Sequence, residues 1–205
     1  MSKSLIFLHG LGDKGSSWYD LHKIFNGYHC ILPDAPSIPI YLNGNMEMPG
    51  WYNIYQLTGT GKEDEEGILK TRQVIRTMIQ KEMDKGVLSK NIFIGGFSQG
   101  AVMALFTGLT SSIELGGIIA LSGYLPIREY TMRQQLNDKI PIFMAHGKQD
   151  DVIPYRFSQL SKKALLSLNL PLTYKDYDMG HSALPEELDD VKQWLQSISS
   201  RKEEL

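Results

Sequence analysis

Short hydrophobic runs along this chain alternate with longer stretches in which hydrophobic residues recur every three or four positions. A short apolar run predicts a buried strand, and the longer spacing predicts a helix with one buried face. The six predicted strands are Ser4–Leu8, His29–Leu32, Asn91–Ile94, Gly117–Leu121, Ile140–Ala145 and Leu172–Tyr177. Because strands and helices alternate, the sequence predicts an α/β fold with a mostly parallel sheet and helices on both faces.

Three stretches between or after the strands carry a helical stripe. The stripes are Ile68, Ile75, Met78, Ile79 and Met83; then Phe157, Leu160, Ala164 and Leu168; then Leu184, Leu188, Val191, Leu195 and Ile198. Residues 101–105 are apolar on nearly every side, which predicts a helix packed centrally against the sheet. Residues 33–62 lack a clear period and predict a long, functional loop. The acidic run Glu63–Glu66 is interpreted as the solvated N-terminus of a helix.

Composition narrows the class of protein. The 205 residues favour a single domain over 1–205, and a net charge of −2 argues against a nucleic-acid partner. The one cysteine, Cys30, lies in an apolar run and is expected to be a buried, inert thiol. Scarce cysteine, no recognisable signal peptide and no apolar run of membrane-spanning length together predict a cytoplasmic protein without an integral membrane segment.

A pentapeptide at a predicted strand-to-helix turn carries the first candidate chemistry. The segment Gly96-Phe97-Ser98-Gln99-Gly100 has the form G-x-S-x-G, the nucleophile elbow of serine hydrolases. Glycines are needed there because any side chain at either flank would collide with the adjoining strand or helix. The sequence therefore predicts Ser98 as a nucleophile.

A serine hydroxyl needs a base, and the base needs an orienting carboxylate. Of the five histidines, only His181 follows the serine, the predicted acid loop and the last strand, so we predict it as the base. The acid should lie in the loop after Ile140–Ala145, where Asp150 and Asp151 are adjacent. Spacing alone does not choose between these two carboxylates.

The oxyanion formed during acyl transfer needs two N–H donors. We expect one from the backbone amide of Gln99, directly after the nucleophile, and one from Leu11 in the glycine-containing loop after the first strand. In the aperiodic segment, Trp51, Ile54 and Leu57 either line an acyl pocket or pin the loop to the body of the protein.

Matching motifs along residues 5–198 resemble the acyl-protein thioesterase, lysophospholipase and carboxylesterase family of the α/β-hydrolase superfamily. The motifs are Phe7–Asp13 (FLHGLGD), Ala35-Pro36, Met48–Ile54 (MPGWYNI), Gly95–Ala101 (GGFSQGA), Leu121–Pro126 (LSGYLP), His146–Pro154 (HGKQDDVIP) and Gly180-His181. One departure is Gly123-Tyr124, where the thioesterases carry Cys-Trp.

The resemblance implies an α/β-hydrolase fold and names the acid as Asp150. It also implies Leu11 and Gln99 as the oxyanion donors, and an acyl channel lined by the Tyr124 position under the loop that carries Trp51. The full set of expected substrate contacts is Trp51, Ile54, Leu57, Tyr124 and Val152.

The implied reaction is hydrolysis of acyl thioesters or esters through an acyl-enzyme, with no metal or cofactor required. Expected substrates are S-acylated proteins, lysophospholipids and small esters, reached through transient contact with a membrane surface. An alternative is a general short- to medium-chain carboxylesterase with no protein substrate. A non-catalytic binding module on the same fold is a remote alternative, since a binder has no need to keep Ser98, Asp150 and His181.

Overall fold

Six strands form one sheet whose neighbours all run parallel. The structure is a computed structural model that describes residues 2–56 and 62–203, with side chains described through residue 199. The strands are β1 (Lys3–Leu8), β2 (Tyr28–Ile31), β3 (Ser37–Ile40), β4 (Met46–Pro49), β5 (Ile92–Phe97), β6 (Gly117–Leu121), β7 (Ile142–Gly147) and β8 (Leu172–Tyr177). The sheet order is β2-β1-β5-β6-β7-β8, and β3 pairs with β4 separately.

Helices cover both faces of the sheet, as the sequence predicts. They are α1 (Leu21–Ile24), α2 (Glu65–Asp84), α3 (Gln99–Leu109), α4 (Arg128–Arg133), α5 (Tyr155–Ser167) and α6 (Pro185–Glu203), with 3₁₀ turns at Gly15–Trp18, Tyr41–Asn43 and Ser89–Asn91. Successive side chains of a strand point to opposite faces of the sheet, so the strands contribute to two separate hydrophobic cores. Helices α2, α3 and α5 pack in one core, and α1 and α6 pack in the other.

All six predicted strands form, although several boundaries differ. The largest difference is in β5, which extends past Ile94 through two glycines to Phe97. Glycine is depleted in strands, so the sequence pattern placed the end of this strand at Ile94, before Gly95 and Gly96. All eleven residues of α3 are buried, which confirms the central apolar helix.

The three helical stripes are confirmed in their central positions, whereas Leu168 lies just after α5, Leu184 lies just before α6, and Leu160 does not face the core. Leu160 is 47% exposed because it lies at the rim of a cavity. Cys30 is buried as expected, and burial raises the pKa of its thiol to about 11. The thiol therefore stays protonated at neutral pH.

The prediction of a loop throughout residues 33–62 is wrong for β3 and β4, which form an antiparallel hairpin. Gly44 and Asn45 turn the chain with φ values of 65° and 61°, in the left-handed region where glycine and asparagine are favoured. The dipeptide Asn43-Gly44 was a usable hairpin signal. The two prolines Pro39 and Pro49, which are depleted in strands, obscured it.

The acidic run is only half solvated, contrary to prediction. Glu65 and Glu66 are exposed in the first turn of α2. Asp64 instead caps the helix by accepting the N–H of Gly67 at 3.1 Å, and Glu63 is half-buried and accepts the N–H of Ile127 at 2.6 Å. Glu63 and Asp64 are partly buried because each side chain accepts a backbone N–H from a packed segment.

The sheet order fixes where a site can form. The chain passes from β1 outward to β2 and later returns to β5 on the other side of β1. Open α/β sheets bind ligands outside the carboxyl ends of their strands, at the point where the strand order reverses. The loops after β1, β5, β6, β7 and β8 all emerge at that one edge.

Candidate active site

Ser98 sits at a strained turn between β5 and α3. Its φ is 54° and its ψ is −119°, a conformation that a residue with a side chain rarely adopts. A Cβ on Gly96 would lie 2.4 Å from the carbonyl carbon of Gly100, and one on Gly100 would lie 2.0 Å from the carbonyl oxygen of Leu8. Both flanking glycines are therefore required by close packing against α3 and β1.

The imidazole of His181 joins Ser98 to Asp150. His181 Nε2 lies 2.9 Å from Ser98 Oγ, and His181 Nδ1 lies 2.7 Å from Asp150 Oδ2. A carboxylate only accepts, so Nδ1 donates to Asp150 and Nε2 is left to accept the hydroxyl proton. The geometry can thus remove a proton from Ser98 Oγ.

Asp150 is buried and receives several donors. Its Oδ1 accepts the backbone N–H groups of Val152 at 3.0 Å and Ile153 at 2.8 Å. Burial alone raises the pKa of this carboxyl, but hydrogen bonds from His146, His181 and the Ile153 amide outweigh it and hold the pKa well below its usual range. Asp150 therefore stays ionised, which stabilises a positive charge on the imidazole.

Asp151, the other carboxylate left open by spacing, is exposed. The structure therefore brings only Asp150 to His181.

Two loops hold Asp150 and His181 together. The N–H of Lys148 donates to the carbonyl of Tyr177 at 2.9 Å, and the N–H of Gln149 donates to that of Met179 at 3.0 Å. A Cβ on Gly147 would lie 2.4 Å from the carbonyl oxygens of both Met179 and Gly180, so only glycine allows this approach. These bonds between the β7–α5 and β8–α6 loops set the position of the acid against the base.

The two predicted oxyanion donors lie next in sequence to residues at the nucleophile: Gln99 follows Ser98, and Leu11 follows Gly10, where an added Cβ would lie 3.4 Å from Ser98 Cβ. Gln99 is the first residue of α3, so its N–H has no acceptor within the helix. In the loop after β1, the N–H of Gly12 donates to the carbonyl of Pro49 and that of Asp13 to the carbonyl of Gly10. Leu11 lies just before them in the same loop, and its N–H has no hydrogen-bond partner among the described residues.

The side chain of Gln99 has a role that the sequence did not reveal. Its Oε1 accepts the N–H of Trp51 at 2.8 Å, and its Nε2 donates to the carbonyl of Tyr52 at 2.7 Å. Trp51 is buried, and its indole N–H donates to the carbonyl of His9 at 2.8 Å. These hydrogen bonds attach Trp51, and with it the 33–62 segment, to the body of the protein.

Two further residues near the site were missed. The ring of Phe97 lies 4.9 Å from that of His181, centroid to centroid, and shields one side of it. His9 is buried, and its Nε2 accepts the N–H of Ala35 at 3.0 Å. An aromatic residue inside the pentapeptide was the only signal for Phe97, and a strand-ending histidine was the only signal for His9.

A cavity of about 440 Å³ lies beside the site, on the α4 and α5 side. Of the predicted substrate contacts, Tyr124 lines it; Trp51, Ile54 and Val152 do not, and Leu57 falls outside the described residues. The remaining apolar lining is contributed by Leu125, Ile127, Tyr130, Ile153, Phe157 and Leu160. Charged side chains of both signs, including Lys62, Glu63 and Arg128, also border it.

Two features of the described residues bear on the expected partners. Within residues 2–56 and 62–203, no helix combines the length and apolarity needed to cross a membrane. The same part of the chain contains no group of three or more His, Cys, Asp or Glu side chains arranged to hold a metal ion.

Comparison with known proteins gives concordant matches. A family model described as phospholipase/carboxylesterase matches residues 1–199. Acyl-protein thioesterase 1 of Neurospora crassa is 41% identical, over 94% of this chain and 85% of its own length. The crystal structure of Arabidopsis thaliana SOBER1 is 26% identical with a TM-score of 0.92, covering 97% of this chain and 99% of its own. The crystal structure of Zea mays acyl-protein thioesterase 2 is 27% identical with a TM-score of 0.85, covering 96% of this chain and 94% of its own.

Proposed function

The chain belongs to the phospholipase/carboxylesterase family of α/β-hydrolases, and from that premise we propose that it is a serine hydrolase acting as an acyl-protein thioesterase. The proposal includes lysophospholipase and esterase activity at the same site. The observation that carries it is the continuous hydrogen-bonded path from Ser98 Oγ through His181 to Asp150. Relatives at 35–41% identity over most of the chain bear the name acyl-protein thioesterase 1, which supports the thioester assignment.

The first half of the proposed reaction forms an acyl-enzyme. Ser98 Oγ attacks the carbonyl carbon of the thioester or ester, and its proton passes to His181 Nε2. Asp150 keeps His181 in the tautomer that accepts this proton and stabilises the imidazolium that results. The negative charge on the carbonyl oxygen is held by the amides of Leu11 and Gln99, each worth roughly 100- to 1000-fold in rate.

The second half regenerates the enzyme. The thiol or alcohol leaves with the proton from His181, which then takes a proton from water as the water oxygen attacks the acyl carbon. Collapse of the second intermediate returns the proton to Ser98 Oγ and releases the carboxylic acid. Every proton moves through His181, so the reaction as written uses only this chain and water.

The cavity beside the site supports an acyl substrate. Its wall includes Ile153, whose N–H bonds Asp150, and Tyr124, and the apolar side chains from α5 around it suit a hydrocarbon chain. We include in the proposal a cytoplasmic location, supported by the single buried cysteine. Transient contact with a membrane surface follows from the substrate class, because lipid-linked proteins and lysophospholipids reside there.

The test is hydrolysis by the purified protein and by Ser98→Ala. We expect the alanine variant to lose about a millionfold in kcat, because the three side chains act as one unit. The substrates are an S-palmitoyl peptide and p-nitrophenyl esters of increasing chain length. Retained hydrolysis in Ser98→Ala refutes the mechanism. Action on short esters with none on the peptide refutes the thioesterase assignment and favours the general carboxylesterase.

A further inference from the structure

A second histidine contacts the carboxylate of Asp150 and has no part in the reaction proposed above. His146 lies in β7, four residues before Asp150, and its side chain is fully buried. Burying an imidazole is costly unless its polar atoms are bonded. Nδ1 of His146 has no hydrogen-bond partner among the described residues, so the contacts of Nε2 indicate what this side chain does.

The hydrogen on Nε2 of His146 follows from its neighbours. This nitrogen lies 2.7 Å from the carbonyl oxygen of Ile153, and a carbonyl only accepts, so Nε2 carries a hydrogen. The same nitrogen lies 3.3 Å from Asp150 Oδ2. The N–H of His146 therefore bonds the carbonyl of Ile153 and lies in close contact with the oxygen that accepts His181 Nδ1.

Two hydrogen bonds and one close polar contact link Asp150, Ile153 and His146 around the acid. Ile153 donates its N–H to Asp150 Oδ1 and accepts from His146 through its carbonyl, while His146 reaches Asp150 Oδ2. Oδ1 accepts two backbone N–H groups, and the positive end of the His146 N–H lies 3.3 Å from Oδ2. Both carboxylate oxygens thus have a polar neighbour other than His181, which restricts rotation of the carboxylate.

We propose that His146 is a positioning residue that holds Asp150 Oδ2 toward His181 and moderates its strength as an acceptor. This inference rests on the proposed function, since it assigns His146 an effect on the proton-transfer step. A donor on Oδ2 competes with His181 for the electron density of that oxygen. Removing the donor should both loosen the carboxylate and make Oδ2 a stronger partner for the protonated His181.

The first experiment compares His146→Leu with His146→Gln across a pH series of kcat/KM on a p-nitrophenyl ester. Leucine removes the donor at similar volume, and glutamine places an N–H near the position of Nε2. We expect the leucine variant to lose roughly 10- to 100-fold, the size of effect seen when an outer-sphere partner is removed from a metal ligand. The acidic limb of its pH profile of kcat/KM should move to higher pH, because protonated His181 is stabilised. The glutamine variant should restore most of the rate and most of the parent pH profile.

The second experiment separates positioning from general structural support. His146→Leu is also made in an Asp150→Asn background, and its effect on kcat/KM is compared in the two backgrounds. If His146 acts through the Asp150 carboxylate, its loss should have little further effect once that carboxylate is gone. The same loss in both backgrounds, or an unmoved acidic limb, overturns the proposal.

Urea unfolding curves accompany each variant. If leucine prevents folding, His146→Asn takes its place, since asparagine is polar but too short to reach Asp150. Full activity in a folded leucine or asparagine variant, with Ser98→Ala inactive, overturns the role of His146 and leaves the proposed function standing. Activity in Ser98→Ala overturns both.

Discussion

The side chain of Gln99 binds the backbone N–H of Trp51 at 2.8 Å, although the two residues are 48 positions apart. Its amide nitrogen also binds the carbonyl of Tyr52, and the indole of Trp51 binds the carbonyl of His9. One buried network thus connects the first turn of α3, the 33–62 segment and the loop after β1. The two proposed oxyanion donors lie on elements joined by this network.

Gln99→Met tests the network without removing the backbone amide. Methionine has a similar volume but leaves the Trp51 N–H and the Tyr52 carbonyl unbonded, at a cost of about 1–3 kcal/mol for each buried group. Urea unfolding should show this loss, and kcat/KM should fall far less than in Ser98→Ala. Gln73→Met, at an exposed position of α2, is the control and should stay within about 0.5 kcal/mol of the parent. Equal stability of the two variants would contradict the role given to Gln99.

Asp150→Asn and Asp151→Asn form a matched pair. We expect the first to lose about 10⁴-fold in kcat, the loss produced by the same change in a serine protease triad. Asp151 is exposed, so its replacement should leave kcat nearly unchanged. Steady-state kinetics on one p-nitrophenyl ester is sufficient, and the reverse ranking would mean that the wrong carboxylate has been identified.

Glu187 predicts an unusual dependence of stability on pH. This third residue of α6 is fully buried, and burial, followed by the charge of Asp190, raises its pKa from 4.5 to about 8, although a backbone bond at Leu184 partly opposes the shift. The folded protein therefore binds more protons than the unfolded chain between these values. The stability from this group is complete below about pH 4.5 and is lost as the pH rises toward 8.

Glu187→Gln removes this titration. The parent loses stability as the pH rises, because it must ionise a buried carboxyl, and the variant does not. The free energy of unfolding of the variant, relative to that of the parent, should therefore rise by on the order of a few kcal/mol from pH 5 to pH 8.5. Chemical denaturation at the two pH values measures the change. Glu186→Gln, at the exposed neighbouring position, should show no such gain, and a parallel response of the two variants would disprove the assignment to Glu187.

Leu160→Trp tests whether the cavity holds the acyl chain. Leu160 is 47% exposed at the cavity rim, so a larger ring there should narrow the entrance without filling the core. We expect kcat/KM to fall for long-chain p-nitrophenyl esters and to stay constant for the acetate. Leu166→Trp is the control, because Leu166 is 51% exposed on the same helix and does not line the cavity. An equal response to both changes would place the acyl chain elsewhere.

The sequence determined those features that depend on local pattern. Alternating apolar runs and helical stripes gave the parallel sheet with helices on both faces, because burial of apolar side chains imposes the period of each element. The glycines around Ser98 indicated a tight strand-to-helix turn, because the steric demand of that turn falls within five residues. The position of His181 after the last strand followed from chain order alone. That the chain forms one domain stays a prediction.

Tertiary structure decided what depends on contacts between distant segments. The turn at Gly44 brings β3 and β4 together. Spacing left Asp150 and Asp151 open and the family resemblance implied Asp150, and in the folded chain Asp150 bonds His181 while Asp151 is exposed. The sequence also did not reveal the hydrogen bond between the Gln99 side chain and the Trp51 N–H, or the contact of His146 with Asp150. A hydrogen bond depends on distance and direction between two atoms, and only the folded chain sets these for residues far apart in sequence.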